Sequence, residues 1–161
     1  MIQAYLVLAE RIRKELNDLE RLVDKAKQAV QLARLKQTEQ DFFIDSAALN
    51  LHDIYSGLER IFQQIAATVE NSVPIGRDWH RELLEQMCLE ISGVRPAVLS
   101  TEAAEALEEL LRFRHVVRNI YTFSLDLERI TLLIEHTQST FPKTKDELLQ
   151  FALLLEEIGK D

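Results

Sequence analysis

At 161 residues, 47% of them hydrophobic, the chain is long enough for one substantial core and too apolar to be disordered. A formal charge of −8 excludes broad coating of nucleic acid, which depends on neutralising phosphates, but leaves room for a small local basic site. The single cysteine, Cys88, excludes an intrachain disulfide, and nothing calls for an oxidising compartment.

The first residues, Met1 to Arg11, lack a basic leader and are apolar too briefly for a signal peptide. No stretch reaches the length of a membrane span, so a cytoplasmic protein with no membrane partner is expected. Apolar residues at Ile2, Tyr5, Ala9, Ile12, Leu16, Leu19, Val23, Ala26, Val30 and Ala33 step by three and four, the pattern of a long helix. Ile44, Ala47, Leu51, Ile54, Leu58, Ile61 and Ile65 repeat it. The polar run Lys36–Asp41 between them, with Thr38 as N-cap, joins two antiparallel helices. Ala48, Tyr55 and Phe62 widen the second stripe, which points to a bundle rather than a free coiled coil.

Pro74 and Gly76 break the second helix, and Asp78 caps a short third one running to about Ile91. Cys88 lies in that apolar stretch and reads as a buried structural thiol. Ser92–Pro96 is a loop, and Ser100 or Thr101 starts a fourth helix, with Glu102 and Glu105 suited to its dipole. Its core face is Ala103, Ala106, Leu110, Phe113, Val117 and Ile120. A bend near Thr122–Ser124 leads to a helix through Ile130 and Ile134 that ends at Phe141-Pro142. Thr144–Glu147 has capping-box spacing for a last helix. The expectation is one all-α domain over residues 1–161, an antiparallel bundle with two long N-terminal helices and three or more shorter ones.

Arg114-His115-Val116-Val117-Arg118-Asn119-Ile120-Tyr121 concentrates cationic, amide and phenol groups in two helical turns of an acidic protein. Arg112, His115, Arg118 and Asn119 fall away from the core face, and Arg114 and Tyr121 stack at its edge. Guanidinium forks match phosphate geometry, and a tyrosine adds a hydroxyl or a stacking surface. The plainer account is a solvated helix face: Glu108 stands four before Arg112, a pair worth about 0.3–0.5 kcal/mol.

This run resembles the R-x-x-x-x-H-x-Y motif of the HEPN superfamily, the helical toxins similar to the HepT ribonuclease, with Asn119 at the histidine position. Ala47–Ile65, Trp79–Leu84 and Arg112–His115 are similar to HepT-like proteins, so the likeness covers most of the chain. The resemblance implies metal-independent RNA cleavage by attack of the substrate's 2′-hydroxyl, in a cleft lined by two motifs of a homodimer. Taken with the basic helix face, it leaves Arg114, His115 and Asn119 as the catalytic candidates and Arg112, Arg118 and Tyr121 as the substrate-binding ones. It also implies a partner nucleotidyltransferase antitoxin that modifies Tyr121 with adenylate.

An amide cannot shuttle a proton near neutral pH, so Asn119 leaves two readings open: His115, one turn earlier, carries the proton, or the site binds RNA, nucleotide or a protein partner without cutting. The other histidines carry less weight. His80 follows Trp79 at the start of the third helix, His52 reads as a surface residue, and His136 has no evident partner. With no H-x-x-x-H, E-x-x-H or C-x-x-C, and no glycine-rich phosphate loop, neither metal nor cofactor is expected.

Overall fold

The computed structural model describes residues 2–118 and 126–161, with side chains for 3–114 and 126–161. Helix α1 (Ile2–Leu35) turns through one 3₁₀ turn (Gln37–Glu39) into α2 (Gln40–Ile65). α2 runs on through a π-helical turn (Ala66–Glu70) and ends where Asn71 takes a left-handed conformation, φ 51°. Then come α3 (Trp79–Met87), α4 (Thr101–Arg118) and α5 (Leu127–Lys160). There is no strand among the described residues, only an isolated bridge between Ile91 and Arg95. The fold is an all-α bundle.

The heptad steps read from the sequence are the packing seams. Ala9, Ile12, Leu16, Leu19, Ala26 and Ala33 of α1 are buried, as are Ala47, Leu51, Ile54, Leu58, Ile61 and Ile65 of α2. The helices are antiparallel: Glu15 accepts from Arg60 at 2.7 Å, and the Ala33 carbonyl accepts from Gln40 at 3.1 Å. Gly57 lets α1 approach closely, since a Cβ there would run into Leu19 and come 2.9 Å from Glu15 Oε1. α5 packs antiparallel on α1 as well, with the ion pair Arg13–Glu156 near its C-terminal end and Lys145–Glu20 at its middle. α4 packs on α2 and α5.

Local chemistry departs from the sequence reading in four places. Thr38 caps nothing; Glu39 precedes α2 without a side-chain cap, and the Gln40 amide holds the turn instead. Asp78 precedes α3 but makes no side-chain cap, its carbonyl accepting from the Glu82 N–H at 3.0 Å. α3 ends at Met87 rather than Ile91. Buried Arg95 donates to the carbonyls of Gln86, Leu89 and Pro96, and its ion pair with Glu70 ties the returning loop to the end of α2. Pro142 does not end a helix. It lies inside the 34-residue α5.

A mid-helix proline normally costs a hydrogen bond and clashes with the preceding turn. Here hydroxyls of Thr137, Ser139, Thr140 and Thr144 donate back to carbonyls of the same region, while Phe141, Thr144 and Leu148 are buried in the bundle. Tertiary burial overrides the local breaker. Thr144 therefore lies within a continuous helix and starts no new one. Ser100 does cap α4, its hydroxyl accepting from the Ala103 N–H at 3.1 Å. The bend expected at Thr122–Ser124 lies outside the described residues. No described helix is long and apolar enough to cross a membrane.

Candidate functional site

The buried face of α4 is Ala103, Leu107, Leu110, Leu111 and Phe113, with Ala106 only half-buried, so the face is rotated from the one expected. Of the expected core residues, Val117 has no described side chain, and Ile120 lies outside the described residues. The rotation matters for Arg114. It follows Leu107, Leu110 and Leu111 by seven, four and three residues, which continues their stripe and turns its side chain inward.

There it meets two charged or titratable groups held by other helices. Glu59 of α2 is 4% exposed and His80 of α3 is 7% exposed. Arg114 Nη1 donates to Glu59 Oε1 at 2.8 Å, and His80 Nδ1 lies 2.7 Å from Glu59 Oε2. A carboxylate only accepts, so Nδ1 carries the hydrogen that Glu59 takes; Arg114 Nη1 also lies against the imidazole, 2.5 Å from Nδ1 and 3.2 Å from Nε2. Trp79 stacks beside the imidazole with ring centroids 3.5 Å apart. One carboxylate thus serves an arginine with one oxygen and a histidine with the other.

Tyr55, one turn before Glu59 on the same face, is also buried. Burial, reinforced by the negative charge of Glu59, pushes its pKa well above the ordinary tyrosine range, so it stays neutral. Its hydroxyl and Arg114 Nε are buried without a hydrogen-bond partner among the described residues. Buried polar atoms are nearly always satisfied, and two orphans in one cluster distinguish this region from ordinary packing.

A family model for HepT-like proteins matches residues 46–155, about two thirds of the chain. The chain belongs to the HepT-like family, within the HEPN superfamily. The match takes in Glu59, His80 and Arg114 and leaves α1 outside. No curated protein and no solved structure matches the chain.

In this HepT-like chain Arg112 does not join Arg114. It is exposed and sits 3.6 Å from Glu108, the helix-surface pair that the spacing suggested. The backbone of His115 and Arg118 continues α4, but their side chains, like all of Asn119 and Tyr121, lie outside what is described. His136 has partners after all: its Nε2 is 2.8 Å from the Ala106 carbonyl and 3.3 Å from Glu109, joining α5 to α4. His52 pairs with Asp53 at 3.5 Å. Cys88 is half-buried, its thiol pointed at backbone carbonyls, and burial pushes its pKa up. No cluster of three or more metal-ligating side chains occurs among the described residues.

Glu59 was missed in the sequence, although a signal for it exists. It sits four after Tyr55 and three before Phe62, inside the extra apolar stripe of α2. His80 precedes Leu83, Leu84 and Met87 by three, four and seven, the same kind of signal on α3. A charged or titratable residue at a core position of each of three helices marks the point where they converge.

Proposed function

We propose that this HepT-like protein is a metal-independent endoribonuclease, the toxin of a toxin–antitoxin pair. The observation that carries the reading is Arg114: the motif arginine, within the family match, held by two buried groups from other helices. A guanidinium fixed in this way suits a phosphate oxygen in two ways, by charge and by its planar set of donors.

In this reading Arg114 holds the scissile phosphate in a homodimer cleft, with Arg112, Arg118 and Tyr121 orienting the RNA. The 2′-hydroxyl attacks the adjacent phosphorus as its proton passes to a base. The bond from phosphorus to the 5′-oxygen breaks and that oxygen takes up a proton, leaving a 2′,3′-cyclic phosphate. His115 is the proton carrier, Asn119 contributes an amide hydrogen bond to the phosphate, and Tyr121 is the residue a nucleotidyltransferase antitoxin modifies.

A second reading is favoured by Asn119 itself. General acid–base catalysis typically supplies about 10²–10⁴-fold, and an amide at the histidine position forgoes it. The site is then a non-catalytic module that binds RNA, nucleotide or a protein partner.

The test is cleavage of a mixed RNA pool in EDTA by the wild type and by Arg114→Ala, His115→Ala and Asn119→His. Cyclic ends produced by the wild type and lost in both alanine variants support the nuclease. Cleavage seen only in Asn119→His supports the binding module on an intact nuclease scaffold. No cleavage by any folded variant sinks the nuclease reading.

A further inference from the structure

We propose that Glu59 and His80 are positioning residues that hold Arg114 for an RNA phosphate, an inference that rests on the reading of Arg114 as the phosphate-binding arginine. The three side chains are graded by exposure: Glu59 5%, His80 8% and Arg114 14%. Arg114 is the most exposed of the three and Glu59 the most deeply buried, so in this proposal the carboxylate and the imidazole hold the arginine rather than meet the substrate.

Stability alone gives a weak account of this arrangement. Desolvating a carboxylate and a guanidinium costs several kcal/mol per ion after relaxation, and well-packed apolar replacements are often as stable or more so. The cluster is also imperfect as a structural clip. The hydrogen bonds of the guanidinium to described residues all run through Nη1, while Arg114 Nε and the nearby Tyr55 hydroxyl are buried without partners among the described residues. A structural ion pair is expected to satisfy its atoms; a pair that instead grips the arginine at one corner fixes where its remaining donors point.

His80 supplies the orientation. Its Nδ1–H engages Glu59 Oε2, which leaves Oε1 to Arg114, and Trp79 holds the plane of the ring. Removing the imidazole frees the carboxylate to rotate, and the guanidinium with it. Asparagine at position 80 keeps a donor for Glu59, whereas leucine does not.

The experiment has two independent arms. In the first, NMR of ¹⁵N-labelled protein follows the Arg114 Nε–H signal in the wild type, His80→Leu and His80→Asn. We expect a displaced or exchange-broadened signal in the leucine variant and a near-native one with asparagine. In the second, affinity is measured for a short single-stranded RNA methylated at every 2′-oxygen, in a double-mutant cycle of His80→Leu with Arg114→Ala. His80→Leu is expected to weaken binding about tenfold with Arg114 present and to change nothing once Arg114 is gone.

An unmoved Arg114 signal in a folded His80→Leu protein would overturn the proposal. So would an equal loss of affinity in both backgrounds. If the wild type fails to bind this RNA, the ribonuclease and RNA-binding readings fall, while the Arg114 signal still decides whether His80 positions the arginine.

Discussion

Glu59 carries the sharpest stability prediction. Its carboxylate accepts from Arg114 at 2.8 Å and from His80 at 2.7 Å, and it is almost wholly buried. Glu59→Ala leaves a guanidinium without its counter-charge and an imidazole N–H without its acceptor. Breaking a buried pair by removing one partner costs about 3–5 kcal/mol, and the partial exposure of the Arg114 side chain places this case near 3. With a urea m-value of about 2 kcal/mol/M, the unfolding midpoint should fall by roughly 1.5 M. Glu59→Gln keeps an acceptor oxygen and the side-chain volume, so it should lose less. The double variant Glu59→Leu/Arg114→Met should recover most of the loss, because it removes both charges together. Urea titrations followed by circular dichroism measure all four proteins. A loss below about 1 kcal/mol for Glu59→Ala, or a double variant no better than the single one, would refute the assignment of a buried, mutually dependent pair.

Four further outcomes, from three variants, follow from particular contacts. Gly57→Ala forces a methyl group against buried Leu19 and should cost about 1–3 kcal/mol in thermal or urea unfolding, as overpacking does. Tyr55→Phe removes a hydroxyl with no partner among the described residues and should be neutral or stabilising by up to about 1 kcal/mol. The same variant tests a pH effect. Burial raises the Tyr55 pKa, so the unfolded chain loses this proton near pH 10 while the folded chain keeps it. That contribution is intact below the ordinary tyrosine value and is lost as pH rises towards the raised one; Tyr55→Phe should lose less stability above about pH 10. Arg112→Ala should change unfolding free energy by no more than about 0.5 kcal/mol, since its pair with Glu108 is a surface one.

The long-range frame was legible because α1 and α2 obey a strict spacing in which Leu16, Leu19, Leu51 and Leu58 could face only inward. The motif arginine was legible from resemblance, but its direction was not. Placing Arg114 at the edge of the face followed from choosing Ala106 over Leu107 and Leu111, a rotation of part of a turn that apolar counting resolves poorly on a helix this rich in leucine and alanine. The surroundings of Arg114 were hidden for a different reason. Glu59 and His80 meet it only through the packing of three helices, and no periodicity within a single helix reports such a meeting. The continuity of α5 through Pro142 was illegible for a related reason, because the breaker is local and the burial of Phe141 and Leu148 that overrides it is not.

The order of Glu59, His80 and Arg114 along the chain has a consequence for synthesis. The acid and the histidine leave the ribosome well before the arginine, so a nascent chain that has already made α2 and α3 carries a carboxylate at a core position whose guanidinium partner has yet to be made. Closing α2 against α3 before α4 emerges would leave the His80 N–H as the partner of that carboxylate, without the guanidinium that balances its charge in the finished bundle. The buried ion pair thus ties the final closing of the bundle to the presence of the motif arginine.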